Sequence, residues 1–509
     1  MTISDCQRKT VRWTSLVLSA FLALTAGLFL YSANTPLGPC YSSDNSIYMV
    51  MGTALANGFR PYLDIFDHKG PLLFVLQWIP QLFGGGFQTI TVFIQEVFFL
   101  FLCLRMICAI TRRFFSIPEW FPQIFYLAYL SSLVGEGNLS EEYCNFFIFV
   151  CIYCTLWFFS KPSQPRHRLL ICSCIVGACF TVCFLTRANN ALPVAGLIVG
   201  IFIFLLFSAR FPEIGICLVG FISGTLVILI PIFLWLHANN AVEASIQASI
   251  FHNLLYSGTT SEYSIGRLRA LLYEDYGHAA LLFAFFSITG AVTCLFRRQY
   301  RGMPLAILLS AGCALIAGFI SHKYYDHYLI LGIPLAVTGN MLFLSLFKDK
   351  IKSRLSVVLL IPCIIWLSSQ CYLANQRRLD SNQGQAQFFA DARHLSDQIP
   401  AQERSRVYPY RVEPKWYVAA HILPCNRYFF LQETLADANP AVMDEIVESF
   451  HSTPPLWLII YKKDRAFSPP YDSRIQDIID SQYMEIDSAG SYRLMKFSQT
   501  SHGGWNEKN

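Results

Sequence analysis

The chain has 509 residues, 54% hydrophobic and only 14% charged, with a formal net charge of +5. Soluble domains carry roughly a quarter charged residues, so this composition excludes an ordinary soluble protein. It is no nucleic-acid signature either: Lys and Arg sit mainly in short loops between apolar runs, where they encode membrane orientation.

Arg8, Lys9 and Arg12 precede an apolar run over 14–31. The run is long for a signal peptide and no small-x-small site precedes Asn34, so it reads as a retained first helix. Further continuous apolar runs, without period-2 alternation, cover 87–110, 119–134, 145–160, 169–185, 191–208, 214–236, 279–296, 303–320, 328–347 and 355–373. A helix of about 20 residues spans the hydrocarbon core, and backbone in lipid must satisfy its own hydrogen bonds. The expectation is a polytopic α-helical membrane protein with eleven transmembrane helices.

Basic clusters fall in alternate loops: the N-terminus, Arg112 and Arg113, Lys161 with Arg166 and Arg168, Arg210, Arg297 with Arg298 and Arg301, and Lys348 with Lys350, Lys352 and Arg354. Positive-inside bias then places the N-terminus in the cytoplasm and the C-terminus outside. The outer segments are 32–86, 135–144, 186–190, 237–278, 321–327 and the tail from 374. In the first, Ile47, Met51 and Leu55 are spaced by four and suggest a short interfacial helix, with Asp44 as an N-cap candidate. Two domains follow: a membrane domain, 1–373, and a soluble extracytoplasmic α/β domain, 374–509, with strands expected at 456–461 and 492–497 and helices at 441–450 and 473–479.

Most of the 17 Cys, among them Cys103, Cys108, Cys151, Cys154, Cys172 and Cys174, lie inside apolar runs and read as small core hydrophobes. Cys40 and Cys425 would be outside and can pair only if the fold brings them together. Glu96, in mid-span, calls for a partner on a neighbouring helix, and Arg105 is expected to snorkel to the cytoplasmic surface. Asn138 to Ser140 fits a glycosylation sequon, a common tripeptide of little weight.

Chemistry-bearing residues gather at one boundary. The first outer loop holds Asp44, Tyr48, Arg60, Tyr62, Asp64, Asp67, His68 and Lys69. Other outer loops add Glu136, Glu141, Glu142 and Tyr143, then Arg187, then His322, Tyr325, His327 and Tyr328. A solvated loop with helix caps explains any one of these, but chance would scatter such groups over both faces. Carboxylates can take a proton from an attacking hydroxyl, and Lys and Arg can hold a phosphate as it leaves. Such a set suits a lipid-linked phosphate substrate. His252, Glu262, Arg267, Arg269, Glu274 and Asp275 lie in the long outer loop, which is a solvated loop or a lid over the site.

Asp44 with Tyr48, Arg60-Pro61-Tyr62, the turn His68-Lys69-Gly70-Pro71, the segment Asn138 to Tyr143 and His327-Tyr328 resemble, in order and membrane placement, the GT-C class of integral membrane glycosyltransferases. The similarity is strongest to the family 39-like branch of protein mannosyltransferases and aminoarabinose transferases, and covers roughly the first 340 residues. It implies a GT-C-like fold in the plasma membrane and transfer, with inversion, from a polyprenyl-phosphate-linked sugar to an extracytoplasmic acceptor. By resemblance Asp44 is the general base, Glu141 or Glu142 the second acidic position, and Lys69 the cation near the donor phosphate; Arg187, from its position alone, and Arg60 are further phosphate candidates. Tyr48, Tyr62, Asp64, Asp67, His68, Tyr143, His322, Tyr325 and His327 would line the substrate pocket.

Two departures matter. The family turn is usually Lys-Pro-Pro, here Lys69-Gly70-Pro71, and the first acidic motif is usually Asp-Glu, here Asp44-Asn45. The second leaves one carboxylate there, so no cofactor is implied with certainty, and a divalent metal would have to draw on Asp64 and Asp67. No Walker loop or dinucleotide fingerprint supports ATP or a nucleotide-sugar donor. The alternative functions are a transporter or lipid-carrier flippase, which would be expected to show repeats and broken midplane helices, and a non-catalytic assembly protein working through its tail.

Overall fold

The computed structural model describes residues 3–38, 41–161, 163–254, 277–296, 302–319, 326–430, 432–462 and 473–498. Each apolar run becomes a helix. The bundle contains α1 (Ile3–Leu30), α4 (Thr89–Phe114), α5 (Trp120–Leu130), α6 (Ser140–Phe159), α7 (Arg166–Thr186), α8 (Leu192–Phe207), α9 (Phe211–Ala238), α11 (Gly277–Phe296), α12 (Pro304–Phe319), α13 (Ile333–Leu344) and α14 (Asp349–Asp397). Two short helices, α2 (Ser43–Ala56) and α3 (Pro71–Gln81), lie in the first outer segment, and α10 (Val242–Ile246) follows α9.

Among the described residues eight helices are long and apolar enough to cross a membrane. The expected eleven runs all fall on bundle helices, and eight of these meet the length criterion among the described residues. The α-helix of the 119–134 run has only 11 residues, about 16 Å at 1.5 Å per residue, against roughly 30 Å of hydrocarbon.

Small residues set the helix spacing. On α9, a Cβ at Gly224 would come 1.8 Å from the Cys174 carbonyl oxygen, and on α7 one at Gly177 would come 2.1 Å from that of Phe221. The α8–α12 contact repeats the device at Gly196 and Gly200, where a Cβ would fall 2.4 and 2.3 Å from the Cα atoms of Ser310 and Ala306. Lipid tails are as apolar as Leu, so close backbone approach supplies the packing energy. The other face of α9 exposes Leu218, Val219, Ile222, Val227 and Phe233, as a lipid-facing surface should.

The α2 helix differs from expectation. It is not an amphipathic interfacial helix, because Asn45 through Leu55 are all buried. Its apolar residues share one core with α3 and with Tyr408, Tyr410, Tyr417 and Phe429 of the tail. The N-cap is Ser42, and Asp44 lies in the first turn.

The tail is an α/β unit with a four-stranded sheet in the order β1 (Val407–Pro409), β2 (Trp457–Tyr461), β4 (Tyr492–Phe497), β3 (Tyr483–Ala489). β1 runs parallel to β2, and the other pairs are antiparallel, with Leu458 opposite Met495. Helices α15 (Lys415–Ala420), α16 (Gln432–Ala438), α17 (Ala441–Ser452) and α18 (Ser473–Gln482) complete it. The two strands and two helices expected from periodicity are present; β1 and β3, whose residues do not form apolar runs, escaped that reading. Helix α14 passes through residue 373 without a break, so bundle and tail share one 49-residue helix.

The polar expectations resolve individually. Asn34 Nδ2 donates to Glu96 Oε2 at 3.1 Å. Arg105 Nη1 donates to the Ser15 carbonyl and to the Ser15 and Ser19 hydroxyls on α1. Asn138 is fully buried with a left-handed φ of 56°, which closes the sequon to modification. Cys40 lies outside the described residues. Gly224→Ala should push α9 from α7 and cost about 1–3 kcal/mol by overpacking. Gly215→Ala, with nothing within 4 Å, should leave the melting temperature in detergent unchanged or raise it.

Candidate active site

The site starts from the loop between α2 and α3. Tyr62, at a left-handed φ of 64°, donates its hydroxyl to the Lys69 carbonyl at 2.8 Å. Asp67 is completely buried: its Oδ1 accepts the Lys69 N–H at 2.8 Å, and its Oδ2 lies 3.6 Å from Lys69 Nζ. Lys69 is 6% exposed, and its ammonium sits 5.1 Å from the ring centre of Tyr48. Gly70 donates its N–H to the Thr186 carbonyl at 3.1 Å, and a Cβ there would lie 2.1 Å from the Leu185 oxygen. The departure from Lys-Pro-Pro thus has a physical reason here: proline has no N–H to give and no room for its ring.

That contact sets the loop beside Arg187, the C-cap of α7. Arg187 Nη1 pairs with Glu141 Oε1 at 2.9 Å, and Nη2 donates to the Tyr328 hydroxyl at 2.7 Å with the guanidinium 4.4 Å from that ring's centre. Ser140 Oγ donates to Glu141 Oε2 at 2.9 Å. Glu141 opens α6, so it comes from a third region of the chain. Asp44 joins through the field: with Asp67 it favours the Lys69 ammonium, and Tyr48 feels Asp44, Glu141, Asp67 and Arg187. Four segments far apart in sequence therefore meet around Tyr48.

The electrostatics follow from burial. Burial pushes the Asp67 carboxyl above its ordinary value, against the pull of Lys69. Burial also disfavours the Lys69 ammonium, yet Asp67 and Asp44 outweigh it and hold the amine above its ordinary value. Tyr48 is driven far up by burial, then by Asp44, Glu141 and Asp67. The result is a cationic pair, Lys69 and Arg187, kept charged by carboxylates, with partly exposed Asp44 at its edge.

Other expected site residues go elsewhere. Arg60 and Asp64 pair with each other at the surface through bonds of 3.0 and 2.7 Å. Helical geometry turns Glu142 about 100° from Glu141. Its Oε2 accepts the Leu139 N–H at 3.0 Å, and its neighbour is Tyr31 rather than Arg187. Tyr143 bonds Asn138 Oδ1 at 2.6 Å. His68 Nδ1 is 3.7 Å from Asp67 Oδ1, with its ring centre 6.0 Å from that of His252, and the His327 ring packs on Tyr328. His322, Tyr325, Glu262, Arg267, Arg269, Glu274 and Asp275 lie outside the described residues. Tyr328, which no sequence pattern ties to Arg187, is the contact that only tertiary structure supplies. Asp64 faces Arg60 and Asp67 faces Lys69, so they do not converge as a metal pair; among the described residues no three His, Cys, Asp or Glu side chains do.

No protein-family model matches the chain, and no curated protein matches it. Solved structures do. ArnT from Cupriavidus metallidurans bound to undecaprenyl phosphate superposes with a TM-score of 0.62 at 12% identity, over 96% of this chain and 98% of that one. The apo form of the same ArnT gives 0.57 at 11% identity over the same shares. The chain thus has an ArnT-like, GT-C-like fold and is a multi-pass membrane protein.

Asp67→Asn should lower the Lys69 pKa, because it removes a charge favouring the ammonium while burial remains. The alkaline limb of any Lys69-dependent pH profile should then move to lower pH; an unmoved limb would contradict the pairing.

Proposed function

We propose that the chain is a membrane glycosyltransferase that moves a sugar from a polyprenyl-phosphate donor to an acceptor outside the cytoplasm, with inversion. One observation carries this reading: a carboxylate, a lysine and an arginine from separate segments meet at the ends of membrane helices, in a fold shared with ArnT. The solved ArnT holds undecaprenyl phosphate, and the cationic pair offers the chemistry such a phosphate needs.

Asp44 takes the proton of the acceptor hydroxyl as its oxygen attacks the anomeric carbon. The bond from that carbon to the phosphate oxygen breaks on the opposite face, and the polyprenyl phosphate leaves with the electron pair. Lys69 and Arg187 receive its growing charge. Glu141 and Tyr328 hold the Arg187 guanidinium in position, and Asp67 does the same for Lys69. Glu142 and Arg60 have no part in this step.

Loop charge supports an N-terminus in the cytoplasm and an α/β tail outside, and the resemblance supports a plasma membrane, so the acceptor is an envelope glycan, lipid or protein. Residues 1–373 form the catalytic domain and 374–509 the outer domain, which packs on α2 behind Asp44.

Asp44→Asn should lower transfer about 10²–10⁴-fold, the usual worth of a positioned base, with insertion and expression unchanged. Full activity in a reconstituted assay would remove Asp44 from the mechanism. Mass spectrometry of envelope glycans with and without the protein should show one missing sugar, which names the donor.

A further inference from the structure

At the opposite end of α7 from Arg187, an apolar cavity of about 210 Å³ opens between α6, α7, α8 and α9. Trp157 and Phe158 form one wall, Leu169 and Val176 a second, and Leu205 and Cys217 the remainder. Among the described residues no charged side chain lines it. Its hydroxyls are already satisfied: Thr155 donates to the Cys151 carbonyl at 2.8 Å, and Ser173 is hydrogen-bonded to Cys217. The rim opens to the side of the bundle, where Phe202 of α8 is 44% exposed and Leu218 of α9 is 52% exposed.

Positive charge gathers at the mouth. On α7, Arg166 stands three residues before Leu169 and Arg168 four before Cys172, and both Leu169 and Cys172 line the cavity. Residues three or four apart are neighbours on a helix surface, so the two arginines head the stripe that faces the cavity. Both are exposed, and neither has an ion-pair partner among the described residues. Arg210, the N-cap of α9, differs: its guanidinium lies 5.6 Å from the centre of the Phe158 ring and is paired with Glu213. Arg166 and Arg168 therefore carry charge that no carboxylate balances.

We propose that this cavity holds one acyl chain of an anionic glycerophospholipid whose phosphate rests on Arg166 and Arg168. The lining has nothing to hold a sugar or a nucleotide, and an unfilled cavity forfeits dispersion contacts, so a hydrocarbon chain is the occupant it fits. From Leu169 to Val176 the wall runs about 10 Å along the helix. Basic pockets between membrane helices select anionic headgroups, and a guanidinium grips a phosphate through two parallel N–H bonds. A zwitterionic lipid would fill the cavity as well but would leave the excess charge of the two arginines unanswered. The polyprenyl phosphate held beside Arg187 is a different ligand: the 21 residues of α7 put Arg187 about 30 Å from the mouth. A lipid seated here ties the first turn of α7 to α8 and α9. The site does not depend on the transferase reading.

The test is a lipid titration of the full-length protein, purified in detergent and washed free of lipid. Phosphatidylglycerol should raise the melting temperature, and the rise should follow the logarithm of its concentration above the dissociation constant. Phosphatidylcholine with the same chains should give a smaller rise, and inorganic phosphate or a short-chain phosphatidylglycerol almost none. Arg166→Gln and Arg168→Gln should each weaken phosphatidylglycerol about fivefold, and together they should make the two long-chain lipids equivalent. Cys217→Phe fills the cavity from α9 and should remove the rise with either lipid; if that variant does not fold, the short-chain lipid on the unmodified protein tests the chain pocket instead. Native mass spectrometry should count a retained glycerophospholipid that the double Gln variant sheds. Equal rises with the two headgroups, a short-chain lipid as effective as the long, or a preference that survives the double substitution overturns the proposal. So does a retained polyprenyl phosphate in place of the glycerophospholipid.

Discussion

Two cations largely withdrawn from water, Lys69 in the loop before α3 and Arg187 at the end of α7, constrain everything around them. Lys69 is 6% exposed, and the Arg187 guanidinium is enclosed by Glu141 and Tyr328. Charges in such a place cost several kcal/mol each unless paired and hydrogen-bonded. Asp67 therefore has to lie under Lys69, and Glu141 has to open α6 where it meets Arg187. Breaking either pair would leave an uncompensated charge.

The constraint reaches into the backbone. The loop carrying Lys69 stays beside Arg187 because Gly70 donates its N–H to the last carbonyl of α7 and has no side chain to hold the two apart. α7 is itself placed by glycine contacts with α9. Helix association in lipid depends on close packing, so a methyl group added deep in the bundle would displace charges at its outer end. The tail extends the same logic: by covering α2 it keeps Tyr48 in a dry setting, where electrostatic interactions are stronger than in water, while Asp44 stays partly exposed.

Adjacent acidic residues divide the labour. Glu141 and Glu142 are indistinguishable as a pair of letters before a span, and both matched the same motif position. About 100° of helical rotation separates their directions, which puts one on Arg187 and the other beside Tyr31. Arg60 shows the converse: it matched a motif, and its guanidinium is engaged by Asp64 four residues on.

By itself the sequence determined the membrane class, the apolar helices of the bundle, and the strands and helices of the tail with strong apolar periodicity. These depend on local runs and on charge bias, which a single chain displays directly. Only the tertiary structure decided that α2 is buried rather than interfacial, that Arg105 binds α1, that Glu141 and not Glu142 meets Arg187, and that Tyr328 completes that contact. Each of these is a relation between segments tens to hundreds of residues apart. Its energy comes from desolvation and close packing, and neither is defined until the segments are side by side.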